Sequence, residues 1–287
     1  MSAELCTVDL PGGSAPRVRV FDRSASEPSD DGVSPAVLLA HPFLPVEQLS
    51  GLIELLGRER RVVAVDVTDL ATAALERGDW SASAEAFRNL LPALEIERHH
   101  LAGVHFGGLL AQQIAVESLA QESSGLRSLT LISTHTGGDH EIPPHERTLD
   151  SLKTGLVAEA APELRHQAIL QLIHAGTLRR RPRVVDQLET LLAERRLSAS
   201  EVERWWSAAG AFGVFESFPE IDLPVLVLHG EIDPVAPAEN ARVLERQIPG
   251  AERVQFNDSG HFFFAEDPGA TYAALQTFLE RVETYVP

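Results

Sequence analysis

A mostly parallel α/β sheet with helices on both faces and an inserted run of helices is the fold class this sequence predicts. Three observations predict it. First, short runs of Ala, Val, Ile and Leu alternate with helical spacings between residues 36 and 132, the pattern of strands buried on both faces and joined by crossover helices. Second, the runs end in loops rich in polar residues or glycine, at His41, Asp66, His105 and Ser133. Third, from about residue 145 to 217 the strand pattern stops, and it returns afterwards.

In chain order, residues 1–16 read as a loose arm and 17–21 as an edge strand, because the latter alternates. The Ser, Asp, Pro and Gly of 22–35 mark an exposed connection. A buried strand is expected over 36–40 and a helix over 46–56, where Leu49, Leu52, Ile53 and Leu56 share a face. The next strand, 61–65, leads into a loop or broken helix over 67–79. Ser81 or Ser83 is the expected cap of a helix carrying Phe87, Leu90, Leu91 and Leu94. Strands are expected over 99–104 and 129–132, separated by a helix over 109–119. The division expected is a core of residues 1–138 and 218–287, with a helical cap or lid over 139–217. In that cap Leu164, Ala168 and Leu172, then Leu188, Leu191 and Leu192, give the apolar repeats. Strands 224–230 and 252–256 follow, with a helix over 239–247 between them. A last helix faces the core through Tyr272, Leu275, Phe278, Leu279 and Val282.

Composition narrows the function classes. A formal net charge of −18 argues against a nucleic-acid groove and against an anionic membrane surface. The basic run at 179–183 is too short to change that, and reads as solvated. Cys6 is the only cysteine, which excludes an intramolecular disulfide and a thiolate metal cluster. No signal peptide and no apolar run near 18 residues is seen, so a soluble cytoplasmic protein is expected. No cofactor motif is present: Gly107-Gly108 lacks the spacing of a dinucleotide fingerprint and the lysine of a P-loop. No ligand-spacing motif points to a metal.

The stretch Gly103-Val104-His105-Phe106-Gly107 reads as a sharp strand-to-helix turn. Asp233 lies in Gly230-Glu231-Ile232-Asp233-Pro234-Val235-Ala236-Pro237, and His261 follows Gly260 before the last helix. This ordered set resembles the α/β-hydrolase superfamily, whose nucleophile elbow reads G-x-S-x-G and whose acid and histidine follow in that order. The resemblance runs from about residue 17 to the C-terminus and is weakest in the cap. It implies an α/β-hydrolase fold, with catalytic positions at His105, Asp233 and His261. It also implies oxyanion donors at the Phe43 and Phe106 amides, near His41. Pro42 stands where the family has glycine and has no N–H to offer. The decisive departure is histidine at position 105, which cannot form a seryl ester.

Asp233 and His261 suit each other as a dyad, the carboxylate fixing the ring's tautomer; a retained structural hydrogen bond is the plainer reading. Four roles are open to His105: an acid or base working with His261, a binding or orienting donor, a vestige, or a covalent nucleophile or metal ligand. His41 reads either as part of the oxyanion loop or as a tie within it. Ser133, Thr134 and Ser259 are expected to cap loops, and Asp66 to line the cleft or sit in a solvated turn. His99, His100 and His229 are expected to pack or hydrogen-bond. Trp205, Trp206, Phe212 and Phe215, with Phe218, read as an apolar lid over a pocket, or as cap-to-core packing.

The leading expectation is therefore an atypical enzyme with histidine-based acid–base chemistry, of lyase, cyclase, isomerase or cofactor-free oxygenase type. Its substrate would be a small hydrophobic or aromatic molecule. One alternative is hydrolysis by histidine-activated water without a serine. The other is an inactive homologue that binds a small molecule or a partner. The sequence leaves a homodimer open.

Overall fold

The apolar runs become neighbours in one sheet. In the computed structural model, which describes residues 4–9, 17–23, 33–120, 124–195 and 197–284, eight strands lie in the order β1-β2-β4-β3-β5-β6-β7-β8. They are β1 (Glu4–Asp9), β2 (Arg17–Arg23), β3 (Ala36–Leu39), β4 (Val62–Val65), β5 (His99–Val104), β6 (Leu126–Ile132), β7 (Val225–Gly230) and β8 (Glu252–Phe256). The pairs β1–β2 and β2–β4 are antiparallel; all others are parallel. Every residue of β3, β4, β5 and β7 is buried. That is why these strands read as continuous apolar runs rather than alternations.

Parallel strands need crossover connections, and these are the helices Ser50–Leu56, Trp80–Ala93, Phe106–Ser118 and Glu239–Gln247, closed by Pro268–Thr284. Between β6 and β7 the described chain forms helices Glu146–Gly155, Pro162–Leu172, Ala175–Arg180, Arg183–Glu194 and Ala199–Gly210, with no strand. Ala168, Leu172, Leu188 and Leu192 of the expected repeats are buried, but Leu164 is exposed. Among the described residues, no helix is long and apolar enough to cross a membrane.

Three expectations need correction. The supposed loose arm contains β1, whose Cys6 lies opposite Val20; the remainder of 1–16 falls outside the described residues. Since β1 flanks it, β2 is not the edge strand. The helix expected to start at Ser81 or Ser83 starts at Trp80. Asp79 caps it by accepting the Ala82 N–H at 2.9 Å. Ser83 lies inside the first turns, where its hydroxyl instead receives the Ala74 N–H. The Trp80 indole fixes this start by donating to the Ala208 carbonyl at 3.0 Å.

Candidate active site

Strand ends position the site. His41 follows β3, His105 follows β5, His135 follows β6, Asp233 follows β7 and His261 follows β8. All these strands are parallel, so the five residues share the carboxyl edge of the sheet, where open α/β sheets place ligands.

The elbow holds its central residue in an unusual conformation. His105 has φ 51° and ψ −112°, a region costly for a residue with a Cβ. Its backbone is held from both sides. Its N–H donates to Ile132 O at 3.0 Å, and the Thr134 hydroxyl donates to its carbonyl at 2.7 Å. The turn is tight enough that a Cβ on Gly103 would strike the Gly107 carbonyl. The local sequence thus folds as an elbow regardless of what occupies position 105.

Asp233 and His261 meet as expected. Asp233 Oδ2 lies 2.8 Å from His261 Nδ1, while Oδ1 accepts the Val235 and Ala236 N–H groups at 2.8 and 2.9 Å. His229 Nε2 donates to Ala236 O at 2.7 Å and lies 3.2 Å from Asp233 Oδ2. Burial opposes ionisation of Asp233, but the His261 charge and the hydrogen bonds from His229 and His261 outweigh it. The carboxyl is held well below the usual carboxylate range. An ionised Asp233 accepts the His261 Nδ1 proton, which leaves a lone pair on Nε2. That nitrogen is buried and has no protein partner.

His105 and His41 complete a cluster of rings. The centroid of His105 lies 4.8 Å from those of both His41 and His261, and 5.3 Å from that of His135. His105 is fully buried and neither of its ring nitrogens has a partner. One ring nitrogen from each of His41, His105 and His261 lies within 4.8 Å of the others. Burial first, then the neighbouring histidines, holds His105 well below the usual histidine range; burial and the His261 charge do the same to His41. Both rings are therefore neutral near pH 7. The expected oxyanion donor at Phe43 is already engaged, because its N–H donates to His41 Nδ1 at 3.1 Å. That bond fixes the neutral ring's proton on His41 Nε2. The Phe106 N–H opens its helix and has no intrahelical acceptor.

Comparison with known proteins settles the family. The family model described as alpha/beta hydrolase fold matches residues 35–268. The chain belongs to the alpha/beta hydrolase fold family. It is 24% identical over 266 residues to a poly(3-hydroxyalkanoate) depolymerase of Ectopseudomonas oleovorans, covering 90% of this chain and 89% of that protein. It superposes on a thermophilic esterase of Thermogutta terrifontis with a TM-score of 0.72 at 21% identity, covering 98% of this chain and all of the other. It superposes on the enol-lactonase of Burkholderia xenovorans with a TM-score of 0.71 at 17% identity, over 96% of this chain and all of that one.

Within this alpha/beta hydrolase fold, the proposed lid residues divide. Trp206 meets His105 edge-on at 5.8 Å and Trp205 stacks on Phe106 at 5.4 Å. Phe212 packs instead on Trp80 at 5.3 Å, and Phe215 stacks on His140 at 3.7 Å. Trp205 and Trp206, in the helix Ala199–Gly210, both reach the elbow, whereas the two phenylalanines follow the helix end and pack elsewhere. Of the hydroxyls, Ser133 donates to the His261 carbonyl at 2.6 Å and Ser259 to Asn257 O at 3.2 Å. Ser133 and Thr134 thus hold the two catalytic-position backbones and offer no second nucleophile.

Sequence reasoning missed two contributors. Asp66 is neither a cleft residue nor solvated: it is buried and paired with Arg195 and Arg19, each at 2.6 Å. Arg195 also donates through Nε to the Pro42 carbonyl at 2.9 Å, tying the inserted helices to the His41 turn. Its partners lie more than 120 residues away in sequence, so no local signal announces it. His135 carries no sequence signal of its own, although its ring nitrogen Nε2 is buried and unpartnered beside His105. A groove of about 460 Å³ lies between Gln48, Gly51, Leu188 and Phe264, outside the histidine cluster. Gln48 links the two, donating to the His41 carbonyl at 2.9 Å.

Proposed function

We propose that this protein is a hydrolase that uses activated water, with no acyl-enzyme, on a small hydrophobic or aromatic carbonyl compound. One observation carries this reading: the Asp233–His261 dyad is intact, and its Nε2 faces an imidazole where the elbow would present a hydroxyl. In the metal-free protein, His261 Nε2 takes a proton from water as the water oxygen attacks the carbonyl carbon. The carbonyl electron pair moves onto oxygen. The Phe106 N–H and the His41 Nε2–H would donate to that oxyanion. The bond to the leaving group then breaks, and His261 returns its proton to that group. Asp233 remains ionised and stabilises the imidazolium. His105, neutral and packed against both His41 and His261, fills the nucleophile position and closes the covalent route.

Phe43, Phe106 and Trp206 around the rings favour an apolar substrate, and residues 139–217 would act as its lid. The relatives' names of depolymerase, esterase and enol-lactonase lean towards hydrolysis rather than lyase, cyclase, isomerase or oxygenase chemistry. A panel of p-nitrophenyl esters tests the proposal. Steady turnover without a burst is expected, falling by about 10²–10⁴ in Asp233→Asn. Turnover at the parent's level in Asp233→Asn and in His261→Ala, or a trapped acyl-serine, would overturn it.

A further inference from the structure

The ring nitrogens at the elbow pose a packing problem that the dyad does not solve. Both nitrogens of His105 and Nε2 of His261 are buried without partners. Unmade hydrogen bonds at buried polar atoms are costly, and here they cluster instead of scattering. One ring nitrogen of each of His41, His105 and His261 lies no more than 4.8 Å from the others. Three points so spaced always have a common centre no farther than about 2.8 Å from each, whereas zinc–imidazole bonds are about 2.0–2.1 Å. Small side-chain rotations close that difference.

We infer that His41, His105 and His261 form a three-histidine site for a divalent transition metal such as Zn²⁺, with a fourth position open to water. Convergent neutral imidazoles favour Zn²⁺, Co²⁺, Ni²⁺ and Cu²⁺ over Mg²⁺ or Ca²⁺. The outer shell fits as well. Asp233 accepts the Nδ1 proton of His261 at 2.8 Å, the arrangement that fixes a ligating ring and raises its basicity. His41 is the weakest of the three ligands. Its Nδ1 receives the Phe43 N–H, so coordination through Nε2 requires its proton to move to Nδ1 and the Phe43 amide to turn away. The site gives His105 a positive role that the dyad mechanism lacks. It rests on the proposed function only for the idea that water is activated here; with the ion bound, His261 becomes a ligand and the metal acidifies the water.

The test reads metal binding apart from activity. Chelator-treated protein is titrated with Co²⁺, following the visible ligand-field bands of the ion and confirming stoichiometry by calorimetry. A saturable site for a single ion per chain, with four- or five-coordinate bands, is expected. His105→Ala, His105→Ser and His261→Ala should each weaken it at least tenfold, Asp233→Asn about 10–100-fold, and His41→Ala less than His105→Ala. The exposed His166→Ala should leave it unchanged. Circular dichroism confirms folding, and the two His105 variants keep the result from hanging on one replacement. Absence of saturable binding, or affinity unchanged in folded His105 variants, overturns the site. Ester turnover by the metal-free protein is scored separately: turnover without Co²⁺ binding refutes only the metal site, and Co²⁺ binding without turnover in any form refutes only the hydrolase.

Discussion

At the residue scale, position 105 separates what the backbone specifies from what the side chain does. The φ of 51°, the Ile132 and Thr134 hydrogen bonds and the Gly103–Gly107 approach are backbone properties. They should survive a change of side chain. His105→Ser would place a hydroxyl beside the dyad, and we expect that variant, unlike the parent, to be labelled by a fluorophosphonate and to show an ester burst. An unlabelled but folded variant would mean that the His261 ring is not within reach of the elbow. A different histidine bears on stability. His99 is buried against Phe87 and neither ring nitrogen has a partner; burial, helped by His100, pushes it down to about 4. Its folded value is depressed, so its contribution is complete above pH 6.5 and is lost as pH falls towards 4. The loss is on the order of 3 kcal/mol at most, at 1.36 kcal/mol per unit. His99→Leu should therefore leave the melting temperature at pH 7 equal or higher, with a larger gain at pH 5. A smaller gain at pH 5 than at pH 7 would refute this.

At the element scale, the legible parts of the protein were those written in local sequence. The strands β3, β4, β5 and β7 are buried on both faces, so their apolar runs needed no context to be read. The elbow, the Asp233 loop and the His261 loop each carry a local motif, and it is their resemblance to the family that implied the dyad. The helix start at Asp79 was missed because Trp80 is positioned by Ala208, a contact between distant segments. His41 reads from sequence as part of the oxyanion loop or as a tie within it; its convergence with His105 and His261 is created by sheet order and not by spacing. Arg195 is the extreme case. It lies in the loop after Arg183–Glu194, yet it bonds Asp66, Thr68 and the Pro42 carbonyl. Removing it leaves the buried Asp66 with Arg19 as its one remaining charge partner and frees the turn that aims His41. Arg195→Ala should cost about 1.5–3 kcal/mol in urea unfolding. It should also lower ester turnover more than it raises KM, since in the proposed mechanism the turn supplies an oxyanion donor. Loss of stability with unchanged turnover would restrict Arg195 to a structural tie.

At the scale of the whole molecule, the two edges of the sheet do different work. The carboxyl edge gathers histidines with open nitrogens, while the amino edge carries a polar network that fastens the last helix. There Glu283 accepts from Arg60 at 2.8 Å, from His100 Nε2 at 3.1 Å and from the Ser34 N–H at 3.1 Å; His100 Nδ1 in turn meets Ser128 at 2.8 Å. Burial opposes ionisation of Glu283, but His100 and Arg60 outweigh it and bring the carboxyl down to about 2. This network closes Pro268–Thr284 onto β5 and the start of β3, which joins the C-terminal end of the chain to the strand bearing the elbow. Since the folded value is depressed, its stabilisation is complete above the ordinary carboxylate value near 4.5 and is lost as pH falls towards 2. Glu283→Gln leaves the buried Arg60 without its charge partner, and should cost about 3 kcal/mol or more at pH 7. The gap between parent and variant should then narrow steadily between about pH 4.5 and 2, because the parent loses by protonation what the variant never had. Urea midpoints across that range decide the matter. A gap that stays constant would mean that Glu283 acts through packing alone. Then the amino edge would owe nothing to ionisation, and the acid sensitivity of the fold would rest on its buried histidines.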